Sequence, residues 1–269
     1  MSGFSVEWLA LREGYDVRAR NPEVLGAVTS LLKPKGAANL IDLACGAGST
    51  LRTLSPLLPP RQHWDLVDND PALLYAASRA NVSDDISLNT VQIDLAGDFE
   101  AVLDQPCDLV TISALLDLVS EDWLDRFARS VAARKLPVYA ALTYDGRIVL
   151  SPPDPADAAI IAAVNAHQRT DKGLGPALGP SGAIAAISRF EELGYRVVHG
   201  LSDWTMEAAD QAMQIELLDG WAAAAGEMNA LPGAEVNAWL NRRKALAAQR
   251  ASAMRVGHVD FFATPSTMR

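Results

Sequence analysis

The chain has 269 residues, of which 49% are hydrophobic and 21% are charged, and this composition argues against a disordered chain or a coiled coil. Its formal net charge is −10, with 23 Lys plus Arg against 33 Asp plus Glu. Because binding to a phosphate backbone needs clustered positive charge, this balance disfavours nucleic acid as a partner.

The sequence also lacks the signals of a membrane protein. No uninterrupted apolar run approaches the roughly 20 residues of a spanning helix. Residues 1–10 lack the pattern of a secretion signal, so we expect a cytoplasmic protein without a membrane partner. Cys45 and Cys107 fall in or beside predicted buried strands, where they are expected to be reduced packing residues. No Cys and His cluster has zinc-site spacing, so no metal is predicted.

Two helical segments are predicted before the first strand. The segment from Phe4 to Arg12 is amphipathic, and a second helix begins with Asn21 as its cap and Pro22 at its first position, ending near Leu32. The residues between them, including Arg20, are predicted to form a charged linker.

The most informative stretch runs from Asn39 to Thr50 and reads N-L-I-D-L-A-C-G-A-G-S-T. A short apolar run predicts a buried strand, two glycines predict a turn, and a helical pattern follows. Such a corner allows close approach of a nucleotide-like group. A dinucleotide fingerprint needs a third glycine, where this chain has Leu51.

Asp42, Gly46 and Gly48 form the pattern D-x-x-x-G-x-G instead. This pattern resembles motif I of the class I S-adenosylmethionine-dependent methyltransferases. The resemblance implies an α/β fold with a doubly wound, seven-stranded Rossmann-like sheet. It also implies S-adenosyl-L-methionine as cofactor and S-adenosyl-L-homocysteine as product, held by Asp42, Ala44, Cys45, Gly46 and Gly48. An arginine ahead of the first strand can grip the cofactor carboxylate as a fork, and Arg20 is the candidate, with a solvated linker residue as the alternative.

The second predicted strand ends at Asp68-Asn69-Asp70-Pro71. A carboxylate about 20 residues past the glycine turn is placed to accept both ribose hydroxyls, and Asp68 fits, with Asn69 beside it. The alternative for Asp68 is a helix cap. Asp70 fills that role better, because a proline belongs at the first helical position.

The third strand is followed by Asp94 and Leu95. The resemblance implies that Asp94 faces the adenine amino group and that the next backbone amide meets a ring nitrogen, although Asp94 could equally cap a loop. The fourth strand ends at Ser113, where the family passes the methionine part of its cofactor and the nucleophile. Asp117 follows, either as a substrate contact or as a solvated loop acid.

A fifth strand is predicted over 137–143, with Tyr144-Asp145-Gly146 beginning a turn. Five strands alternating with helices predict a doubly wound parallel sheet, with its ligand beyond the carboxyl ends of the strands. Next come a helix to about Gln168 and a glycine and proline loop over 173–182. The polar segment that starts at Asn165 is interpreted as a substrate lid with a glycine hinge. His167 is either its base or a hydrogen-bonded core residue.

The remaining chain predicts a helix over 181–193, a strand over 195–201, a helical pair over 205–251 opened by Thr205, and a final strand over 254–263. We interpret residues 1–269 as a single domain. It comprises a helical cover (1–36), a cofactor core (37–150), a lid-like insertion (151–182) and the C-terminal part of the sheet (183–269). The helical pair is a cap, a homodimer surface or simple bulk.

Methyl transfer needs alignment and exclusion of water more than acid or base help. If the nucleophile must lose a proton, the candidate bases are His167, Asp117, Tyr144 and Asp145. The acidic surface and the lid favour a small-molecule acceptor. An NAD(P)-dependent oxidoreductase and a non-catalytic S-adenosylmethionine-binding protein remain the alternatives.

Overall fold

The computed structural model describes residues 5–229 and 231–266, and these build a mixed sheet with helices on both faces. The strand order is β3-β2-β1-β4-β5-β8-β6, with the short β7 beside β8. Strands β1 to β5 are parallel, whereas β8 runs antiparallel to β5 and β6. The strands are β1 Ala37–Leu43, β2 Arg61–Asp68, β3 Ile86–Gln92, β4 Leu109–Ser113, β5 Val138–Ser151, β6 Tyr195–Leu201, β7 Trp204–Met206 and β8 Ala253–Pro265.

This topology confirms the predicted doubly wound fold and adds one short strand to the seven expected. The helices of the described residues are α1 Val6–Ala19, α2 Pro22–Leu32, α3 Ser49–Leu54, α4 Pro71–Ser78, α5 Glu121–Ala133, α6 Asp157–His167, α7 Gly182–Glu192, α8 Gln211–Glu227 and α9 Gly233–Ala248. The predicted caps Asn21 and Asp70 accept backbone N–H groups with their side chains, and Ser120 does the same at the start of α5. None of the described helices is both long and apolar enough to cross a bilayer.

The core forms two layers, one on each face of the sheet. In β1, Leu40 packs with Trp64 and Val28 on one face, while Ile41 and Leu43 pack with the other cluster. Burial on both faces explains why this strand is a continuous apolar run.

The first helix is longer than predicted, and the charged linker after Arg12 is wrong. Helix α1 continues to Ala19, and Phe4 lies outside the described residues. Ser5 caps its start, and Arg12 pairs with Asp16 one turn on, Nε to Oδ2, at 3.0 Å. Arg12 and Asp16 thus lie on one face of a helix that continues through the predicted linker.

Two later boundaries also differ. The predicted turn at Tyr144-Asp145-Gly146 is a bulge, because β5 continues to Ser151 and its register against β8 shifts between Tyr144 and Ile148. Thr205 does not open a helix. It lies in β7 opposite Arg255, and α8 begins at Gln211.

The helical pair packs against α6 through a buried ion pair. Arg243 on α9 is fully buried and pairs with Asp157 at the start of α6, and Trp239 donates its indole N–H to the same carboxylate at 2.9 Å. The pair is thereby fixed to the segment that follows β5.

Candidate active site

A cavity of about 520 Å³ lies beyond the carboxyl ends of β1, β2, β3 and β4. Its position is the one expected for ligands of doubly wound sheets. It is lined by Leu9, Arg12, Asp16, Ala44, Cys45, Gly46, Ala47, Ser49, Thr50, Arg52, Asp68, Asn69, Asp70, Pro71, Leu73, Ile93, Asp94, Leu95, Ser113, Ala114, Leu115, Leu118, Lys172 and Leu174.

The glycine corner after β1 forms one wall. Gly46 and Gly48 have φ angles of 53° and 84°, in the left-handed region that favours glycine. The Gly46 N–H donates to Asp68 Oδ2 at 2.9 Å, and the Gly48 N–H donates to the Cys45 carbonyl at 2.9 Å. These two amides are therefore used within the protein, so the corner offers a ligand its close backbone approach rather than those N–H groups.

Ala44 and Ala114 are left-handed residues without the freedom of glycine, with φ angles of 53° and 51°. Each follows a strand, β1 or β4, and each lines the cavity. Such residues cost roughly 1 to 2 kcal/mol each. Strain of this kind concentrates at ligand sites, where the surrounding structure holds it in place.

Asp68 links the ends of β1 and β2. Besides accepting from Gly46, its Oδ1 accepts the Asp70 N–H at 3.0 Å, and the side chain is buried at the cavity wall. Asp70, not Asp68, caps α4 through the N–H groups of Ala72 and Leu73. An ionised carboxylate offers about four acceptor positions, so Asp68 retains capacity for a ligand.

Asp94 directly follows Ile93 beyond the end of β3. Its Oδ1 accepts the Ala96 N–H at 2.9 Å, which makes it a loop cap, and the residue also lines the cavity. The Leu95 carbonyl accepts the indole N–H of Trp123 on α5, which holds the loop against that helix.

The chain is similar to known proteins in fold but not in sequence. No family model matches the sequence, and no curated protein matches it significantly. Among solved structures, a cyclopropane-fatty-acyl-phospholipid synthase-like protein from Lactobacillus casei aligns with a TM-score of 0.58 at 11% identity, covering 97% of this chain and 94% of that one. That overlap shows a shared fold. The five parallel strands β1 to β5, with helices on both faces of the sheet, form the doubly wound Rossmann-like sheet that the motif resemblance implies.

This chain has the class I methyltransferase fold. Two further solved structures align at lower scores. A cyclopropane synthase from Mycobacterium tuberculosis has a TM-score of 0.48 at 11% identity over 98% of this chain and 87% of that one. A SAM-dependent methyltransferase from Thiobacillus denitrificans, in complex with S-adenosyl-L-homocysteine, has 0.46 at 17% identity over 97% and 99%.

Within this methyltransferase fold, three predicted cofactor residues do not line the cavity. Gly48 is at the start of α3, where an added Cβ would lie 3.3 Å from the Ala77 Cβ. Arg20 is buried behind Ser113 and donates to its Oγ at 3.3 Å. Asp42 is also buried and accepts from Thr111 at 2.7 Å. Burial raises the pKa of Asp42 from 3.8 to about 7. The other eight, Ala44, Cys45, Gly46, Asp68, Asn69, Asp94, Leu95 and Ser113, line it.

None of the four candidate bases lines the cavity. The Tyr144 hydroxyl donates to Asn165 Oδ1 at 2.7 Å, and Asp145 pairs with Arg147. His167 bonds Glu227 on α8, Nε2 to Oε2, at 2.9 Å. Asp117 lies between the lining residues Leu115 and Leu118.

Asp117 is the buried acid of this group. Its Oδ1 has no hydrogen-bond partner, and burial raises its pKa from 3.8 to about 6. A buried carboxylate oxygen without a hydrogen-bond partner is costly, and acids with such perturbed pKa values are common at functional sites.

The cavity also includes residues that the sequence analysis does not predict, and three of them come from α1. Leu9, Arg12 and Asp16 form the part of the cavity wall that α1 supplies. Asp16 also accepts the indole N–H of Trp204 at 3.0 Å. Their spacing of three and four residues was the available signal. The sequence analysis does not use it, because it predicts a linker after Arg12 where the structure continues α1 to Ala19.

The predicted lid is docked in this structure. The Ser120 N–H donates to the Leu174 carbonyl at 3.2 Å, and the N–H groups of Leu178 and Gly179 donate to the Val119 and Asp117 carbonyls at 2.8 and 2.9 Å. These bonds hold residues 174–179 against the segment after β4, so Leu174 and Lys172 complete the cavity.

Proposed function

We propose that this protein is an S-adenosylmethionine-dependent methyltransferase that transfers the sulfonium methyl group to an O, N, S or C nucleophile of a small molecule by in-line displacement. The observation that carries the proposal is the meeting of Gly46, Asp68 and Asp94 in one cavity. They come from the ends of three adjacent strands, in the order that the fold requires.

The residues present fit this cofactor. Asp68, with acceptor capacity to spare, would hold the ribose hydroxyls beside Asn69. Asp94 and the Leu95 backbone would hold the adenine, and Ala44, Cys45, Gly46 and Ser113 would surround the amino acid part. Asp42, Gly48 and Arg20 would support this wall from behind. When bound, S-adenosylmethionine supplies an electrophilic methyl group on a sulfonium.

The residues of the protein itself would align the nucleophile with the methyl group and exclude water. The apolar side chains of Leu115, Leu118 and Leu174 line the cavity next to the end of β4, and the docked segment 174–179 closes that side. Both features exclude water from a nucleophile held there, which favours in-line transfer.

Among the candidate bases, we propose Asp117 as the one nearest the acceptor, because Leu115 and Leu118 on either side of it line the cavity. Its raised pKa, about 6, leaves it ionised at pH 7 and basic enough to take a proton from a hydroxyl or a protonated amine. His167, Tyr144 and Asp145 would act on their own neighbours instead.

Isothermal titration calorimetry tests the cofactor directly. We expect S-adenosylhomocysteine to bind with one site per chain and NAD to show no heat of binding. Binding of NAD alone would favour an oxidoreductase. Tight S-adenosylhomocysteine binding with no turnover across a broad acceptor screen would favour a non-catalytic binding protein.

We place this activity in the cytoplasm, in keeping with the free thiols of Cys45 and Cys107. A homodimer through the α8–α9 pair stays a prediction, which light scattering of the purified protein tests.

Replacing Asp117 with asparagine should stabilise the protein at neutral pH. The pKa of Asp117 is higher in the folded state than in the unfolded state, so the folded state binds this proton more tightly. The free energy of unfolding therefore falls as pH rises from about 4 to about 6. Asparagine escapes this penalty. We expect the free energy of unfolding of Asp117→Asn to exceed that of the wild type by about 1 to 3 kcal/mol at pH 7.5.

Urea unfolding at pH 7.5 and pH 4 measures the difference, which should nearly vanish at pH 4. Asp84→Asn, at an exposed position, serves as the control and should show no such pH-dependent gain. A loss of stability in Asp117→Asn at pH 7.5 would contradict a carboxylate whose burial destabilises its ionised form.

A further inference from the structure

Three cationic side chains line the cavity, and two of them are neutralised by acids on α1. Arg12 pairs with Asp16, Nε to Oδ2, at 3.0 Å, and Arg52 donates to Glu13 through Nη2 at 2.9 Å. In the described part of the chain, Lys172 has no carboxylate oxygen within 4.0 Å. Among the described residues, therefore, no direct ion pair neutralises the Lys172 charge, and Glu227 attracts it only from a longer distance.

The Lys172 ammonium is held in place by two side chains of its own segment. Its Nζ lies 3.0 Å from Thr170 Oγ1 and 3.3 Å from His167 Nδ1. An ammonium has three donors, so these two bonds leave one N–H unassigned. Burial lowers the pKa of Lys172, which reflects the cost of keeping this charge partly out of water.

His167 orients the lysine rather than facing the cavity. His167 Nε2 lies 2.9 Å from Glu227 Oε2 and its Nδ1 lies 3.3 Å from Lys172 Nζ, so the ring bridges the acid and the ammonium. The chain Glu227–His167–Lys172 thus connects α8 to the cavity wall. It accounts for the cluster of polar residues after Asn165 that the sequence singled out.

The surroundings of Lys172 are apolar on the cavity side. Leu174, two residues on, lines the cavity together with Leu115 and Leu118, and its carbonyl is fixed by the Ser120 N–H. A cation beside such a wall gains most from an anionic partner, because little water is available to screen the pair.

We propose that Lys172 binds a carboxylate or similar small oxyanion on the methyl acceptor, so that the substrate is an anionic small molecule with an apolar body. This inference rests on the proposed function. The carboxylate of the methionine part of the cofactor is the other source of the same chemistry. Lys172 comes from the segment that is bound to Val119 and Ser120 after β4. The glycine corner, where we place the amino acid part of the cofactor, packs instead against α1, with Leu9 3.4 Å from a Cβ built at Gly46. The acceptor is thus the source we assign.

The test begins with calorimetry on the full-length wild type and Lys172→Met. The probes are S-adenosylhomocysteine and 5′-deoxy-5′-methylthioadenosine, which lacks the amino acid part. For each probe, we expect Lys172→Met to bind with the affinity of the wild type, within about twofold. A loss of S-adenosylhomocysteine affinity in Lys172→Met, with the methylthio probe unchanged, would assign the lysine to the cofactor and overturn the proposal. If the wild type binds neither probe, the proposed function itself fails.

The second arm screens methyl transfer to small carboxylic acids, each paired with its neutral amide. We expect turnover of an acid but not of its amide. Lys172→Met should raise KM for that acid about 10- to 100-fold with kcat changed little, the size of one charge-assisted hydrogen bond. Turnover of the neutral member of a pair at least as fast as of the acid would overturn the proposal. Lys33→Met, at an exposed position outside the cavity, is the control and should match the wild type.

The role of His167 as a positioning residue has its own readout. His167→Ala should raise KM for the same acid without changing kcat. His167→Gln, which keeps an acceptor oxygen, should restore part of the loss. A fall in kcat with KM unchanged would contradict positioning through Lys172.

Discussion

Replacing Asp68 with alanine should weaken S-adenosylhomocysteine binding by at least about 100-fold, because hydrogen bonds to a charged group contribute roughly 1.5 to 3 kcal/mol each and two ribose hydroxyls would lose theirs. A second loss adds to this. The Gly46 N–H, which donates to Asp68 Oδ2 at 2.9 Å, would be left without its partner at the cavity wall. Calorimetry on the purified variant measures the change directly.

Two further variants sharpen this experiment. Asp68→Asn keeps one acceptor oxygen but no charge, so its affinity should fall between those of the wild type and Asp68→Ala. Asp65→Asn is the matched control, since Asp65 is a buried acid on the same strand but does not line this cavity. It should bind as the wild type does. If Asp68→Ala also bound normally, the cavity would not be the nucleoside site.

Gly182→Ala should strongly destabilise the protein. A Cβ at Gly182 would overlap the Leu116 carbonyl oxygen and lie 2.8 Å from the Leu116 carbonyl carbon and 3.0 Å from the Asp117 Cα. These are backbone atoms, which cannot turn aside as a flexible side chain can. Overpacking of this kind costs about 3 kcal/mol, or roughly 6 to 12 °C in Tm for a chain of this size.

The consequence reaches the site, because Leu116 and Asp117 belong to the segment that carries Leu115 and Leu118 into the cavity. Thermal unfolding followed by circular dichroism measures the effect on stability. Gly220→Ala is the matched control. Gly220 lies on α8 at an exposed position, with no atom within 4 Å of its added Cβ, so alanine there should stabilise by about 0.5 to 1 kcal/mol. Equal behaviour of the two variants would contradict close packing of α7 on this segment.

The cavity wall at the carboxyl ends of the strands could be predicted from the sequence, because the patterns that indicate it are local. A buried apolar strand followed at once by Gly46 and Gly48, and a strand ending at Asp68, each place their residues at a carboxyl end. In a parallel sheet those ends meet at one edge. Local strand-end patterns, together with the family resemblance that they carry, were therefore enough to predict the fold class and eight residues that line the cavity.

Contacts between distant segments could not be predicted in this way. Arg12 and Asp16 reach the cavity only because α1 continues as a helix and packs near β7, where Trp204 bonds Asp16 across 188 positions. His167 was a plausible base by composition. Its place beside Glu227 and Lys172 depends on how α6 packs on α8. Strand and turn patterns thus determined which residues stand at the sheet edge. Only tertiary packing decided which side chains from elsewhere close over that edge, because such contacts follow from long-range geometry that no short segment encodes.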